Sequence, residues 1–404
     1  MPAGPSSAQD SYIADDPSFA VRPSSRINAI DAVRGVALFG VVAVNVVTAF
    51  RISIFQQFLP NQFSDGASLD GFVERFVHFA LDMKSFSLFS ILFGLGLAMQ
   101  FERFSPTGRP FYFLTRRLIA LLLLGAIHLL LIWNGDILVE YALAGLIVLP
   151  LLGLGRSSLA AVVVGLLALY GILGAFPTLV PFPGPEALAE HIARAQATYA
   201  HGSLADVLNF SLQEIELIVP LHVSVFPRTV ALFVFGVWIW RSGVLQQGRD
   251  NAGVFGFVAA IGILAGVTLT PRTGDPFLQR MAPVVFAIGY GSLVVWIAQI
   301  EETRRILAPF AAVGRMAFTN YVLHSLIFGF IFFGYGLGLF GQMGAASAFL
   351  LVVIVYAFQT IFSTLWLRRF LFGPLEWLWR SITYNRLQPM RINHPPDAAL
   401  GRTH

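Results

Sequence analysis

Ten apolar runs dictate what this chain can become: near residues 29–50, 76–100, 112–133, 137–154, 158–180, 225–243, 252–270, 281–300, 316–339 and 345–368. A helix that crosses a bilayer takes about 18 or more apolar residues, because in hydrocarbon every backbone N–H and C=O must be bonded inside its own segment. The rest of the composition agrees. Only 12% of residues are charged and 56% are hydrophobic, where a soluble domain is about 25% charged. The expected fold class is all-α, a polytopic integral membrane helical bundle of about ten transmembrane helices. The chain has no cysteine, which excludes a disulfide framework, an Fe–S cluster or a thiolate zinc site. His191 and His201 lie without a ligand set around them, so no metal is expected.

Arginine placement sets the orientation. With the N-terminus inside, the inner segments hold Arg22, Arg26, Arg103, Arg109, Arg116, Arg117, Arg156, Arg241, Arg249, Arg304, Arg305, Arg315, Arg368, Arg369, Arg380, Arg386, Arg391 and Arg402. The outer ones hold only Arg51, Arg75, Arg194, Arg228, Arg272 and Arg280. This inside bias predicts cytoplasmic N- and C-termini. The net charge of +4 reads as topology, and no nucleic-acid partner is expected. Residues 1–25 are polar and rich in Pro, Ser and Ala, with no signal-peptide pattern; they read as a disordered cytoplasmic tail. Residues 26–388 form the transmembrane domain, and 389–404 a second disordered tail. Segment 181–224 is a long outer insertion. Pro181, Pro183 and Pro185 stop the preceding helix, and the Ala/Leu periodicity from Glu186 predicts one or two short helices at the outer surface.

Polar residues inside the apolar runs carry the functional signal, since each charge in a bilayer costs about 2.5–3.5 kcal/mol on insertion scales. In the first run Asp31, Arg34 and Asn45 fall within roughly 60° of one another at about 100° per residue. Counting about 1.5 Å per residue along each span places the polar groups in depth. An outer cluster gathers Asn45, Lys84 (the single lysine), His128 and Asp136, with Glu140 and Tyr141 nearby. An inner cluster gathers Asp31, Arg34, Arg116, Arg117, Arg315, Asn320 and His324. Each residue also has a purely structural role open to it. Asp31 and Arg34 make an i, i+3 ion pair, and Asn45, His128, Asn320 and His324 suit interhelical hydrogen bonds. Lys84 can snorkel to headgroups, Asp136 can cap the fourth helix, and Arg116 and Arg117 serve as inside anchors.

No Walker-type loop, HExxH or G-x-S-x-G elbow occurs. The glycines of FSILFGLGLAM and FFGYGLGLFG read as small-residue packing faces. The phrases AIDAVRGVALFGVVAVNV, MKSFSLFSILFGLGLAM, RRLIALLLLGAIHLLLIWNGDILVEYALAG, GRMAFTNYVLHS, GLGLFG and FGPLEWLWRSITY resemble the YeiB-like membrane proteins, domain-of-unknown-function family 418, over residues 26 to 390. The C-terminal phrase with Gly373, Pro374, Glu376, Trp377, Trp379 and Arg380 is the most specific part. The resemblance implies a relation to membrane-bound acyltransferases, among them the lysosomal heparan N-acetyltransferase and bacterial O-acyltransferases of surface glycans. Asp31, Arg34, Gly35 and Asn45 match the D-x-x-R-G…V-N pattern of those relatives. Their catalytic His, eleven residues after the Asn, is Gln56 in this chain, so the base must come from elsewhere.

Two functions follow as expectations. In the first, acyl-CoA is the co-substrate and enters from the cytoplasm against the inner arginines, with Asp31, Asn320 and His324 completing its site. His128 acts as general base on a glycan or small hydroxyl or amine acceptor at the outer face. Asp136 orients it, and Asn45 or Lys84 stabilises the oxyanion. The second is a transporter or lipid- or solute-handling protein in which Lys84, His128 and Asp136 form a substrate site or proton relay. The lipid bilayer is the one partner common to both, and the plasma membrane of a bacterium is the expected location.

Overall fold

The computed structural model describes residues 28–59, 67–247, 250–270 and 275–392. Its helices are α1 (Asn28–Asn45), α2 (Leu69–Phe76), α3 (Lys84–Phe104), α4 (Pro110–Leu131), α5 (Leu138–Val148), α6 (Arg156–Ala175) and α7 (Pro185–His201), then α8 (Leu204–Ser242), α9 (Ala252–Leu269), α10 (Pro276–Ile297), α11 (Glu301–Arg315), α12 (Ala317–Phe332), α13 (Ala345–Trp366) and α14 (Pro374–Tyr384). Among the described residues the only β pairing is an isolated bridge between Phe370 and Arg391. The all-helical expectation holds, and the chain is a multi-pass membrane protein by the length and apolarity of its helices.

The count differs from ten. Among the described residues eight helices are long and apolar enough to cross a membrane, or nine if α11 and α12, bent by 76° at Met316, act as one span. The fourth expected span is only α5 and the 3-10 turn that prolongs it to Gly153, where Pro150 removes a backbone donor. The ninth starts at Ala317 as expected but stops at Phe332. FFGYGLGLFG is not a packing face of a helix. It is a loop with Gly338 and Gly341 in the left-handed region, and the Gly341 N–H bonds the Arg51 carbonyl at 2.8 Å.

The outer insertion also differs. It contains one separate helix, α7, and its second half is the start of α8. Ser203 and Asp206 form a capping box that launches this 39-residue helix, and Gly243, at φ 77°, ends it. Such a helix is about 58 Å long, nearly twice the hydrocarbon thickness.

Glycines bring the central helices together. A Cβ on Gly94 of α3 would lie 1.9 Å from the Phe233 carbonyl oxygen of α8, and one on Gly236 of α8 would lie 2.1 Å from that of Ile91. Gly35 of α1 and Gly314 of α11 make the same close approach, at 2.1 Å from Phe310 O and 1.9 Å from Asp31 O. Without side chains at these points the backbones touch, which is how helices gain dispersion energy in a medium that offers no hydrophobic drive. At the C-terminal end Leu371 N bonds Met390 O and Ile392 N bonds Arg369 O, so residues 389–392 stay with the bundle. The N-terminal tail 1–25 and residues 393–404 lie outside the described residues.

Candidate functional site

The turn between α4 and α5 organises the polar interior. α4 ends where the His128 carbonyl accepts two N–H groups, from Ile132 and Trp133. α5 begins where Asp136 Oδ2 accepts the Val139 N–H at 2.7 Å. The other carboxylate oxygen of Asp136 lies 2.9 Å from His128 Nδ1. On the far side of the ring, His128 Nε2 is 2.9 Å from Ser325 Oγ of α12. All three side chains are buried. His128 Nδ1 and Asp136 Oδ1 meet as a close contact without hydrogen-bond geometry, while His128 Nε2 and Ser325 Oγ share a hydrogen bond whose direction follows the imidazole tautomer. Asp136 thus caps a helix and sets its second oxygen against the His128 ring.

The turn and the first turn of α5 reach four further partners. Asn134 donates to Glu214 at 2.8 Å, in a buried group with His191 and Tyr199. Glu140 accepts from His222 and Thr229 of α8. The Tyr141 hydroxyl lies 2.9 Å from Ser90 Oγ of α3.

A cavity of about 390 Å³ approaches this turn from the other side. Its wall along α1 runs Asp31, Arg34, Leu38, Val41; along α3, which runs the opposite way, it runs Arg103, Gln100, Gly96, Phe93, Phe89. Arg117, Arg315, Glu376 and Arg380 share the charged end, and Ile137, Tyr141 and Tyr321 line the deep end. The charged end therefore holds five guanidiniums against two carboxylates. Asp31 is engaged by Arg34 at 2.6 Å. Glu376 caps α12, its Oε1 accepting the N–H groups of Phe318 and Thr319 at 2.7 and 3.0 Å. Burial pushes the Glu376 carboxyl above its ordinary value, against the lowering effect of the Thr319 hydroxyl and the backbone donors. Arg117 stacks over Trp379 at 3.5 Å, and the indole N–H returns a bond to the Arg117 carbonyl. The result is a basic pocket that becomes apolar with depth. Tyr321 separates it from the relay: its ring sits 5.1 Å from the His128 ring, and its hydroxyl accepts the Ile137 N–H at 3.3 Å.

Of the expected outer cluster, the structure brings His128 and Asp136 together. Lys84 is buried at the start of α3, donating to the His78 carbonyl at 3.0 Å, and Asn45 is half-buried where α1 passes into its π turn. Of the inner cluster, Asp31, Arg34, Arg117 and Arg315 line the cavity. Arg116 is outside its wall, bound to Tyr112 Oη and the Ile382 carbonyl. Asn320 and His324 turn away to α13, where they meet Ser363 and Gln359. Sequence reasoning missed Ser325, Tyr321 and the Glu214 group, and gave Arg103 only as one of the inner arginines. Glu376 and Arg380 belonged to the specific C-terminal phrase, but only the fold shows that α14 closes the cavity. Among the described residues no group of three or more His, Asp or Glu could hold a metal ion.

Comparison with known proteins agrees with the resemblance. A family model described as "Protein of unknown function (DUF418)" matches residues 239–386. The uncharacterized protein YxaH of Bacillus subtilis is 33% identical over 91% of this chain and 96% of its own. The chain belongs to the DUF418 family. The uncharacterized protein YeiB of Escherichia coli is 32% identical over 89% of this chain and 97% of its own. An uncharacterized 39.9 kDa protein in the amylase 3' region of Bacillus acidopullulyticus is 26% identical over 92% and 98%. No solved structure matches the chain.

Proposed function

We propose that this DUF418 protein is an acyltransferase of a bacterial plasma membrane, with cytoplasmic termini, an acyl-CoA donor and a glycan or small hydroxyl or amine acceptor from the outer side. The observation that carries the reading is the pairing of a cavity, basic at one end and apolar at the other, with a buried histidine that has an aspartate oxygen at 2.9 Å, just past its apolar end. The arginines receive the donor phosphates as charge-assisted ligands. The acyl chain lies along Leu38, Val41, Phe89 and Phe93, which carries the thioester carbonyl toward Tyr321. His128 Nε2 takes the proton of the attacking hydroxyl or amine, and Asp136 stabilises the imidazolium. The Tyr321 hydroxyl is bonded only weakly, to Gly135 O at 3.4 Å, and is the nearest donor for the oxyanion in place of Asn45 or Lys84.

The test is acyl-CoA binding and transfer by the detergent-purified protein, from acetyl-CoA to long-chain acyl-CoA. Saturable binding weakened in Arg34→Ala and Arg315→Ala, with transfer lost in His128→Ala, supports the reading. A folded protein that binds no acyl-CoA at millimolar concentration removes it and favours a transporter. Transfer at the wild-type rate by His128→Ala removes the base.

A further inference from the structure

We propose that Ser325 is a nucleophile, and that the acyl group passes through an ester on its Oγ before it reaches the acceptor. The inference rests on the acyltransferase reading for its donor, but the nucleophile can be tested without one.

The geometry sets a serine against a buried histidine, with a carboxylate close to the far side of the ring. Ser325 Oγ is 2.9 Å from His128 Nε2, and His128 Nδ1 is 2.9 Å from Asp136 Oδ1. The three residues come from α12, α4 and the turn before α5, so no local backbone pattern forces them into line. The alternative bond open to the hydroxyl, back to the Tyr321 carbonyl one turn earlier, is 3.5 Å long, which leaves the imidazole as its main partner. An interhelical hydrogen bond would explain a His–Ser contact. It does not account for Asp136, whose Oδ2 caps α5 but whose Oδ1 is buried against His128 Nδ1 with no hydrogen bond of its own, a placement that is costly unless the imidazole gains charge. Ser325 also stands one turn beyond Tyr321, a residue of the cavity's deep end.

The chemistry balances. Ser325 Oγ forms a bond to the thioester carbon, its proton moves to His128 Nε2, the C–S bond breaks and the thiolate takes that proton. In the second half the acceptor oxygen or nitrogen bonds the same carbon, its proton moves to Nε2, the C–Oγ bond breaks and Ser325 is reprotonated.

The test uses a short-chain alkyl fluorophosphonate, which phosphonylates activated serines with loss of fluoride, on the full chain in detergent, read by peptide mass spectrometry. The expected result is an adduct on Ser325 that is absent in Ser325→Ala and forms about a hundredfold more slowly in His128→Gln and Asp136→Asn. Ile137→Ala, checked for a cooperative melting transition, opens the path from the cavity and should speed labelling. No adduct on Ser325 in wild type or in Ile137→Ala overturns the proposal, as does an adduct that forms equally fast in His128→Gln. The two readings fail separately. Acyl transfer from acyl-CoA with Ser325 never acylated keeps the acyltransferase and removes the serine. A labelled Ser325 in a protein that binds no acyl-CoA keeps the serine and removes that donor.

Discussion

Glu376 holds Thr319 at both ends of its side chain. Oε1 accepts the Thr319 N–H at 3.0 Å, Oε2 accepts the Thr319 hydroxyl, and that hydroxyl oxygen in turn accepts the Leu375 N–H at 3.1 Å. The bend at Met316 leaves the first N–H groups of α12 without helical partners, and a residue 57 positions later supplies them. Gly373 makes room: a Cβ there would lie 2.2 Å from Glu376 Oε2. The C-terminal phrase FGPLEWLWRSITY thus supplies a cap for a broken helix.

Glu376→Ala should cost about 1–3 kcal/mol, because it strands buried donors, and should lower the melting temperature in detergent. Glu376→Gln keeps an acceptor for the two N–H groups and should cost less. Burial raises the folded pKa of this carboxyl, so its contribution is complete below the ordinary value of 4.5 and is lost as pH rises through the raised one. Wild type should therefore lose melting temperature as pH climbs from 4.5 through that window, and Glu376→Gln should flatten that part of the profile.

The arginines of the cavity predict a graded loss. Arg34→Ala and Arg315→Ala should each weaken acyl-CoA binding by about tenfold, the size of one charge-assisted bond in a partly wet site. Arg116→Ala should leave binding unchanged, since Arg116 bonds Tyr112 and the Ile382 carbonyl outside the cavity wall. Calorimetric titration at two salt concentrations checks both, and the wild-type affinity should fall with salt.

Asn320 and His324 predict the opposite pattern. Their partners are Ser363 and Gln359 on α13, so they join two helices and face no ligand. Asn320→Ala and Gln359→Ala should lower stability by about 1–3 kcal/mol each through stranded buried groups, with acyl-CoA affinity unchanged in whatever fraction stays folded. A loss of affinity without a loss of melting temperature would return them to the site.

Hydropathy made the helices legible, because bilayer thickness imposes a length on each apolar run. It did not distinguish a span from an apolar helix cut short by Pro150, nor show that the charged segment Glu301–Arg315 is a helix crossing α1 at Gly35 and Gly314. Counting depth along α4 and the following turn was enough to pair His128 with Asp136, since both sit at one end of adjoining elements. It failed for Asn320 and His324, whose depth was plausible but whose direction depends on helix rotation. Ser325 was invisible for a like reason: a lone serine after a histidine signals nothing until α12 is turned against α4.

Two glycines two positions apart give the sharpest test of the cavity. Gly94 has the Phe233 carbonyl oxygen 1.9 Å from where its Cβ would be, while Gly96 has nothing within 4 Å and lines the cavity. Gly94→Ala must push α3 away from α8 and should lower the melting temperature sharply, with loss of folded protein. Gly96→Ala adds a methyl to open space in a helix and should be neutral or stabilising by up to about 1 kcal/mol. Gly96→Leu then becomes a plug. It should melt like wild type yet lose acyl-CoA binding, because the leucine occupies the space between Phe93 and Gln100 through which an acyl chain must pass. If Gly96→Leu binds and transfers like wild type, the ligand does not use this cavity, and the arginines at its charged end are anchors for the membrane surface.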